Sequence, residues 1–573
     1  TYPPEAHNHD LTYAAIEHDH TVSDISDFPA ALPADGGDAD TVNGKTVETN
    51  VPAGAVFTDT IYDDSNILGL LSTHEGEEVG NNEGVHGIRF LNDKLEYYNG
   101  TAWIEIETGS GGVAPGNVSD IIIVPASGVL EIKFTDPDDT AWAGTKVVMK
   151  AGSYPSNERD GTVILDSTTK NTYSENPFTQ SGLTNGTKYY FGFFPYSADG
   201  AVNYNVANRG IGTPVAYRTM GITIDLSNSN PATSLTYTDD AVGMTPGSAA
   251  WDDFFGHYPV MLLNGVENYK LNPNNFAQKL DGSAADITSG TDGDVMIAFP
   301  RRGLTISTSG NIVTIKMTDD PDNAAFEYNA HTRGVTAKDK FYLGSYKGNT
   351  ISSKLRSLSG KTPTASQTIG TFRTQAQANG AGYEQSGFYQ LIFRQVMYLL
   401  KYKNLNSQTA VGRGYVDGNS AAIATGGTNA KGMDFGETSG KLQMKLFGIE
   451  DFWGNIWEWI DGIVTTSTRN MLTATTGFND TGSGYTDQGQ GAAANIGNYM
   501  SKPQGGTKTG FIAKEVSGSE TTYFCDSAYL YASCVAKFGG IWSSASSAGA
   551  FRLDVSHASS YSYANVAARL MYL

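Results

Sequence analysis

The chain has 573 residues, enough for three or four domains at ~150 residues each. Charged residues are only 17%, glycines number 66, and 60 acids against 38 Lys and Arg give a formal charge of −22. That balance favours β-rich, turn-rich structure and argues against nucleic acid as a partner, since no basic cluster suited to phosphates is visible. No apolar run of ~18 residues is present, so no membrane insertion is expected. Two cysteines, Cys525 and Cys534, make no disulfide framework and allow at most one bridge closing a short loop. A chain opening on Thr1 without a signal-peptide pattern is the expectation for a trimmed piece of a longer protein.

Residues 1–112 are poor in apolar side chains and dense in Asp, Gly, Asn, Thr and Pro, as in PADGGDADTVNG over 33–44. A lone chain of that composition cannot offset its ordering entropy, whereas intertwining with identical copies removes the difficulty. His7, His9, His18 and His20 form two His-x-His pairs. Residues i and i+2 of an extended strand share a face, so each pair offers two imidazoles. Three chains about a threefold axis would offer six, an octahedral nitrogen site. Imidazole suits nickel, cobalt or zinc, and geometry alone does not fix the metal. The bland alternative is four solvated histidines in a polar stalk. The segments HTVSDISDFP (20–29), ADTVNGK (39–45) and VPAGAVFTDT (51–60) resemble recurring segments of phage tail fibres. That resemblance implies a homotrimeric stalk, iron as the first candidate metal, and upstream tail proteins as partners. LEYYNGTAWIEI over 95–106 reads as a hairpin turning at Asn99-Gly100.

After the Gly-rich linker 109–112, apolar runs at 121–124, 129–134, 146–149, 163–165 and 189–194 predict a β-sandwich over 113–218 with Trp142 in its core. LTNGTKY over 183–189 resembles the L-x-x-x-T-x-Y tyrosine corner of fibronectin type III domains, in which the Tyr hydroxyl returns to the backbone. A spacer role follows from that likeness.

Residues 219–340 read as the β-rich leading part of a head completed by 341–573. Phe388, Leu391, Ile392, Val396, Leu399 and Leu400 recur at helical spacing and predict one clear helix. DVMIAFP (294–300), FYLGSYKG (341–348) and LRSLSGK (355–361) resemble strands of phage and prophage proteins of the diversified lectin type. GIEDFWGNIWEW over 448–459 is similar to the G-x-x-D-x-x-G-N-x-W-E-W signature shared by formylglycine-generating-enzyme-like and diversified lectin folds. Its Trp453, Trp457 and Trp459 are expected as core anchors rather than ligand platforms.

Residues 539–570 read GGIWSSASSAGAFRLDVSHASSYSYANVAARL. Small polar residues with isolated aromatics make an adaptable binding face: Tyr gives rigid contact area, and Ser, Asp and Asn give movable hydrogen bonds. The stretch resembles the variable region of proteins diversified by retroelements, displayed on a C-type-lectin-like fold. Adenine mutagenesis of the kind those systems use leaves Lys, Glu, Gln, Met and Trp out of reach; none of the first four occurs over 541–570, and the only Trp is the framework Trp542. The candidate receptor-binding positions are Ile541, Ser543, Ser544, Ser546, Phe551, Arg552, Asp554, Ser556, His557, Tyr561 and Tyr563, with Gly539, Gly540, Trp542, Arg569 and Leu570 as invariant framework. The bland alternative is a Ser-rich edge strand with its loop.

Two enzymatic readings compete. A formylglycine-generating-type oxidase needs cysteines after the Gly-Gly-x-Trp element, and both cysteines here precede it. A depolymerase needs two carboxylates at a fixed separation in a groove; Asp434, Glu437, Glu450, Asp451 and Glu458 are candidates, but the repeat pattern of a β-helix is missing. No calcium motif is visible, so recognition without calcium is expected and no catalytic cofactor is implied. The expectation is therefore a multidomain, β-rich protein and not an enzyme: an intertwined trimeric stalk, a fibronectin type III-like sandwich and an α+β C-type-lectin-like head. It would stand at the distal end of a phage tail fibre in the virion and attach it to a bacterial surface receptor, protein or glycan.

Overall fold

A computed structural model describes residues 112–418 and 420–573, together with the backbone of short strands between Thr41 and Glu105. The chain divides into two compact units, Thr1–Gly112 and Val113–Leu573. It is β-rich with few helices and has several separate sheets.

In the first unit a four-stranded antiparallel sheet runs Glu78–Val79, Ile88–Leu91, Lys94–Tyr98, Trp103–Glu105. Tyr98 pairs with Trp103, so four residues separate the partners instead of the two that an Asn-Gly turn would leave. His7, His9, His18 and His20 lie outside the described residues.

The second unit opens with seven strands in two sheets. One is ordered Thr162–Ser167, Trp142–Ala151, Tyr189–Ser197, Arg209–Gly212, and the other Phe178–Gln180, Val129–Thr135, Ser119–Ala126. Leu130, Ile132 and Phe134 of the second meet Val147, Phe191 and Phe193 of the first in a shared core. Tyr189 Oη accepts a hydrogen bond from Thr184 N at 3.1 Å. Trp142 corrects the sequence reading: it is only half-buried and sits outside that core. As the first residue of its strand it is held at the rim, its N–H on Asp139 Oδ1 (3.0 Å) and its indole Nε1 on Thr145 Oγ1 (2.9 Å).

Among the described residues the head has three large sheets and four two-stranded ones. Thr219–Asp225 is central to a four-stranded antiparallel sheet with Leu235–Asp239, Ile312–Thr318 and Gly303–Ser309. A seven-stranded sheet runs Asn275–Lys279, Val266–Asn272, Tyr258–Leu263, Asp294–Pro300, Lys340–Gly344, Leu570–Tyr572, Tyr383–Gln385. The boundary expected at 340/341 falls inside the Lys340–Gly344 strand, so the leading part and the C-terminus of the chain share one sheet.

The helix Phe388–Tyr402 packs on the Trp457–Thr465 strand and on Thr219–Asp225. Every residue from Phe388 to Lys401 is buried, polar ones included. Its polar side chains therefore act as internal ties: Gln390 Nε2 donates to Ala330 O (2.6 Å) and Gln395 Nε2 to Ala550 O (2.9 Å). Among the described residues no helix is long and apolar enough to cross a membrane.

Candidate functional site

The third sheet of the head carries the C-terminal face. It is ordered Thr486–Gln490, Asn470–Thr473, Trp457–Thr465, Val535–Phe538, Leu553–His557, Ser527–Leu530, Ile496–Tyr499, with Val566–Ala567 running parallel to Trp457–Thr465. Alternation along Phe551-Arg-Leu-Asp-Val-Ser556 decides what each side chain does. Phe551, Leu553 and Val555 point into the main core. Arg552, Asp554 and Ser556 take the opposite face, where Trp457 and Lys537 lie.

Phe551 is thus corrected from the recognition set to the core: it is fully buried, its ring 5.1 Å from Phe511, 5.0 Å from Phe524 and 5.7 Å from Tyr398. Ser544 is a turn residue, its Oγ accepting from Ile541 N at 2.9 Å. Asp554 is buried and fixed, receiving Lys537 Nζ at 2.7 Å and the Ser556 hydroxyl. Burial would raise its carboxyl, but bonds from His557, Lys537 and Ser556 hold it well below the usual range. His557 Nδ1 lies 3.0 Å from Lys537 Nζ and 2.9 Å from Ser556 Oγ.

The remaining candidates line the outside. Ser543 is exposed; Ile541 and Ser546 are half-buried, with Ser546 Oγ donating to Glu520 Oε2 at 2.7 Å and lying 3.2 Å from Tyr499 Oη. Tyr561 stands edge-on to Trp459 (6.1 Å between centroids) and stacks on Tyr563 at 5.0 Å and 12°. Tyr563 is 66% exposed, its backbone carbonyl tied to Ser366 N at 3.1 Å. Lys537 and Arg552 both lie over the Trp457 ring, at 4.5 and 4.9 Å from its centroid. Trp457 is therefore a buried anchor, as expected, and also the floor of the face.

A rigid network underlies this surface. Glu458 points opposite to Trp457 and Trp459 and meets Arg569 Nε at 2.7 Å, Lys347 Nζ at 3.1 Å and Arg394 Nη2 at 3.5 Å, every one of these side chains fully buried. Burial alone would raise the Glu458 carboxyl; the three cations outweigh it and hold the group well below its usual range. Burial pushes Lys347 down to about 8 and Arg394 down to about 10 against the pull of Glu458. Arg569 also donates to Gly344 O, Ser345 O, Glu450 O and Asp451 O (2.9–3.2 Å), which ties the last strand to the signature loop. Gly539 and Gly540 take φ of +94° and +84°, left-handed backbone that favours glycine, and Trp542 N reaches Asn455 O at 2.9 Å.

The carboxylates considered for hydrolysis serve this scaffold. Asp434 receives Lys401 Nζ and Phe447 N, Glu437 the backbone of Ser439 and Gly440, Glu450 the Thr428 N and Oγ1, and Asp451 the amides of Gln443 and Asn455. Burial, then the neighbouring Glu450, pushes Asp451 up to about 7. Cys525 and Cys534 are free, buried thiols, pushed up by burial to about 12 and about 11, so the single bridge the sequence allowed is not formed. Among the described residues no cluster of three His, Cys, Asp or Glu could hold a metal ion. A cavity of about 770 Å³ lies elsewhere, between the sandwich and the head. Arg218 pairs with Asp319 there at 3.0 Å, and Arg302 donates to the backbone carbonyl of Phe254.

No family model and no curated protein matches the chain. Among solved structures it is similar to the Major Tropism Determinant P3c Variant, at 12% identity over 88% of this chain and 97% of that one, with a TM-score of 0.19. The Major Tropism Determinant U1 Variant gives 11%, 88%, 97% and 0.19, and the I1 Variant 12%, 85%, 94% and 0.18. Likeness at this level leaves fold and function to be argued from the residues.

Sequence reasoning missed Lys537, the cation between Trp457, Asp554 and His557. Its only signal was a lone lysine in the apolar strand Val535-Ala-Lys-Phe538. Nothing in spacing joins it to Trp457, eighty residues earlier, because sheet order alone makes them neighbours.

Proposed function

We propose that the chain is the receptor-binding tip of a phage tail fibre, attaching the virion to a bacterial surface receptor through the outer face of 541–563. The observation that carries this reading is a division of labour along one short stretch. Arg569 and Glu458 lock the scaffold from inside, while Ser543, Ser556, His557, Tyr561 and Tyr563 face outward on it. Such a face can change its side chains without changing its fold, which is what a diversified lectin-like site requires. The 113–218 sandwich is read as a fibronectin type III-like spacer and 1–112 as a homotrimeric stalk pinned by iron or a similar metal on the His-x-His pairs. Three heads on one cell give avidity beyond each single affinity. Calcium is left out of the recognition, and hydrolysis is not favoured, since the candidate carboxylates are engaged inside the scaffold.

Adhesion of the labelled full chain to a panel of bacterial strains tests the proposal. The wild type should decorate one or a few strains, and Tyr563→Ala or Ser543→Trp should remove or redirect that pattern without lowering the melting temperature. Adhesion unchanged by both substitutions would overturn the reading.

A further inference from the structure

We infer that the receptor recognised by this variant is an acidic glycan, an anionic group of the sugar seating on the Arg552 guanidinium and its ring on the Tyr561–Tyr563 pair. The inference rests on the recognition reading above and names the ligand class of that face.

Arg552 lies over the Trp457 ring at 4.9 Å and donates from Nη1 to Ser547 Oγ. Its Nε is buried without a hydrogen-bond partner, and among the described residues no carboxylate stands within ion-pair distance of it. The contrast with the scaffold is direct: Arg569 and Arg373 each hold a carboxylate at 2.7 Å. The two acids close to Arg552 are both otherwise engaged. Asp554 is taken by Lys537 at 2.7 Å, and Asp526 accepts Phe551 N at 2.8 Å while burial pushes its carboxyl well up, toward the neutral form. Glu520, the other acid of the face, receives Ser546. With Nε out of solvent reach and Nη1 on Ser547, the Nη2 end of this guanidinium is what an incoming carboxylate or phosphate would meet.

The rest of the face favours a sugar as the carrier of that anion. Tyr561 and Tyr563 lie nearly parallel, and Tyr563 is largely free to be covered. A pyranose offers a flat row of C–H groups that fits the negative face of such a ring. His557 stands 4.1 Å from the Tyr561 ring with Ser556 Oγ 2.9 Å from its Nδ1, and both can serve ring hydroxyls as donors or acceptors.

The experiment measures binding of the immobilised full chain to four polymers: polygalacturonate, phosphomannan, neutral dextran and polyglutamate. Binding should appear with polygalacturonate or phosphomannan, and the stronger of the two identifies the anion as carboxylate or phosphate. Dextran and polyglutamate should stay at background. Arg552→Gln should weaken binding by about 10- to 100-fold, the range for a lost charged hydrogen bond. Arg552→Lys, which keeps the charge but not the fork, should fall between the two and supplies the reading if the Gln variant does not fold. Equal binding to dextran, polyglutamate as strong as the acidic glycans, or Arg552→Gln indistinguishable from wild type overturns the inference. A wild type that adheres to cells through Tyr563 yet binds neither acidic glycan overturns the ligand class and leaves the recognition face standing.

Discussion

Arg569 and Glu458 meet at 2.7 Å with neither side chain exposed to solvent. The pair joins the residue just before the last strand to the strand that carries Trp457 and Trp459, so the outer face of 541–563 is hung from a contact made wholly inside the protein. Removing Arg569 leaves Glu458 only Lys347 and Arg394 and strands the four buried carbonyls that the guanidinium serves. Arg569→Met should therefore cost about 3–5 kcal/mol, read as a shift in the denaturant midpoint. Arg569→Lys should recover little of it, because four carbonyls besides Glu458 depend on the guanidinium fork.

Acid should destabilise the head through its buried histidines. His257 lies against Phe299 and Phe447 with no hydrogen bond to either ring nitrogen, Nε2 standing 4.0 Å from Asp252 Oδ1, and burial pushes it down to about 4. Burial likewise pushes His331 down to about 3. In each case the unfolded chain gains its proton near pH 6.5 and the folded protein does not, so stability is full above that pH and falls as pH drops toward the folded value. Each histidine should remove about 2–3 kcal/mol between pH 7 and pH 4.5. His257→Phe should lose less stability than wild type over that interval; equal pH slopes for the two proteins would contradict the assignment.

The two tyrosines of the face should separate in stability. Tyr561 packs on Trp459 and the buried cluster beneath it, and truncation to Ala should cost about 1–2 kcal/mol. Tyr563 is 66% exposed, and its truncation should move the melting temperature very little. Calorimetry of the two single variants checks the order.

Elemental analysis of the full chain tests the stalk. Two His-x-His layers should hold about one transition-metal ion each per trimer, and His9→Ala should remove one of them. Metal-free protein would remove the metal from the account.

Much of the fold was legible because local pattern and tertiary role agreed. The spacing of Phe388, Leu391, Val396 and Leu399 predicts a helix that is buried along all but its last residue, and the run 294–300 coincides with a strand. Trp142 misled because size was read as depth, while an indole at a strand start can satisfy its N–H at the rim. Phe551 was misplaced although the alternation Phe-Arg-Leu-Asp-Val-Ser carries the signal in plain form: its period of two puts Phe551 inward with Leu553 and Val555. Lys537 and Trp457 were beyond reach, since only the order of strands in the sheet brings them to one face.

The most direct test of the central claim is deep sequencing of the 530–573 coding segment in sibling phages from a single lysate grown on mixed hosts. Substitutions concentrated at outward positions such as Ser543, Ser556, His557, Tyr561 and Tyr563, with silence at Gly539, Gly540, Trp542, Arg569 and Leu570, are the predicted result. Substitutions spread evenly over both sets, or absent from both, would contradict it.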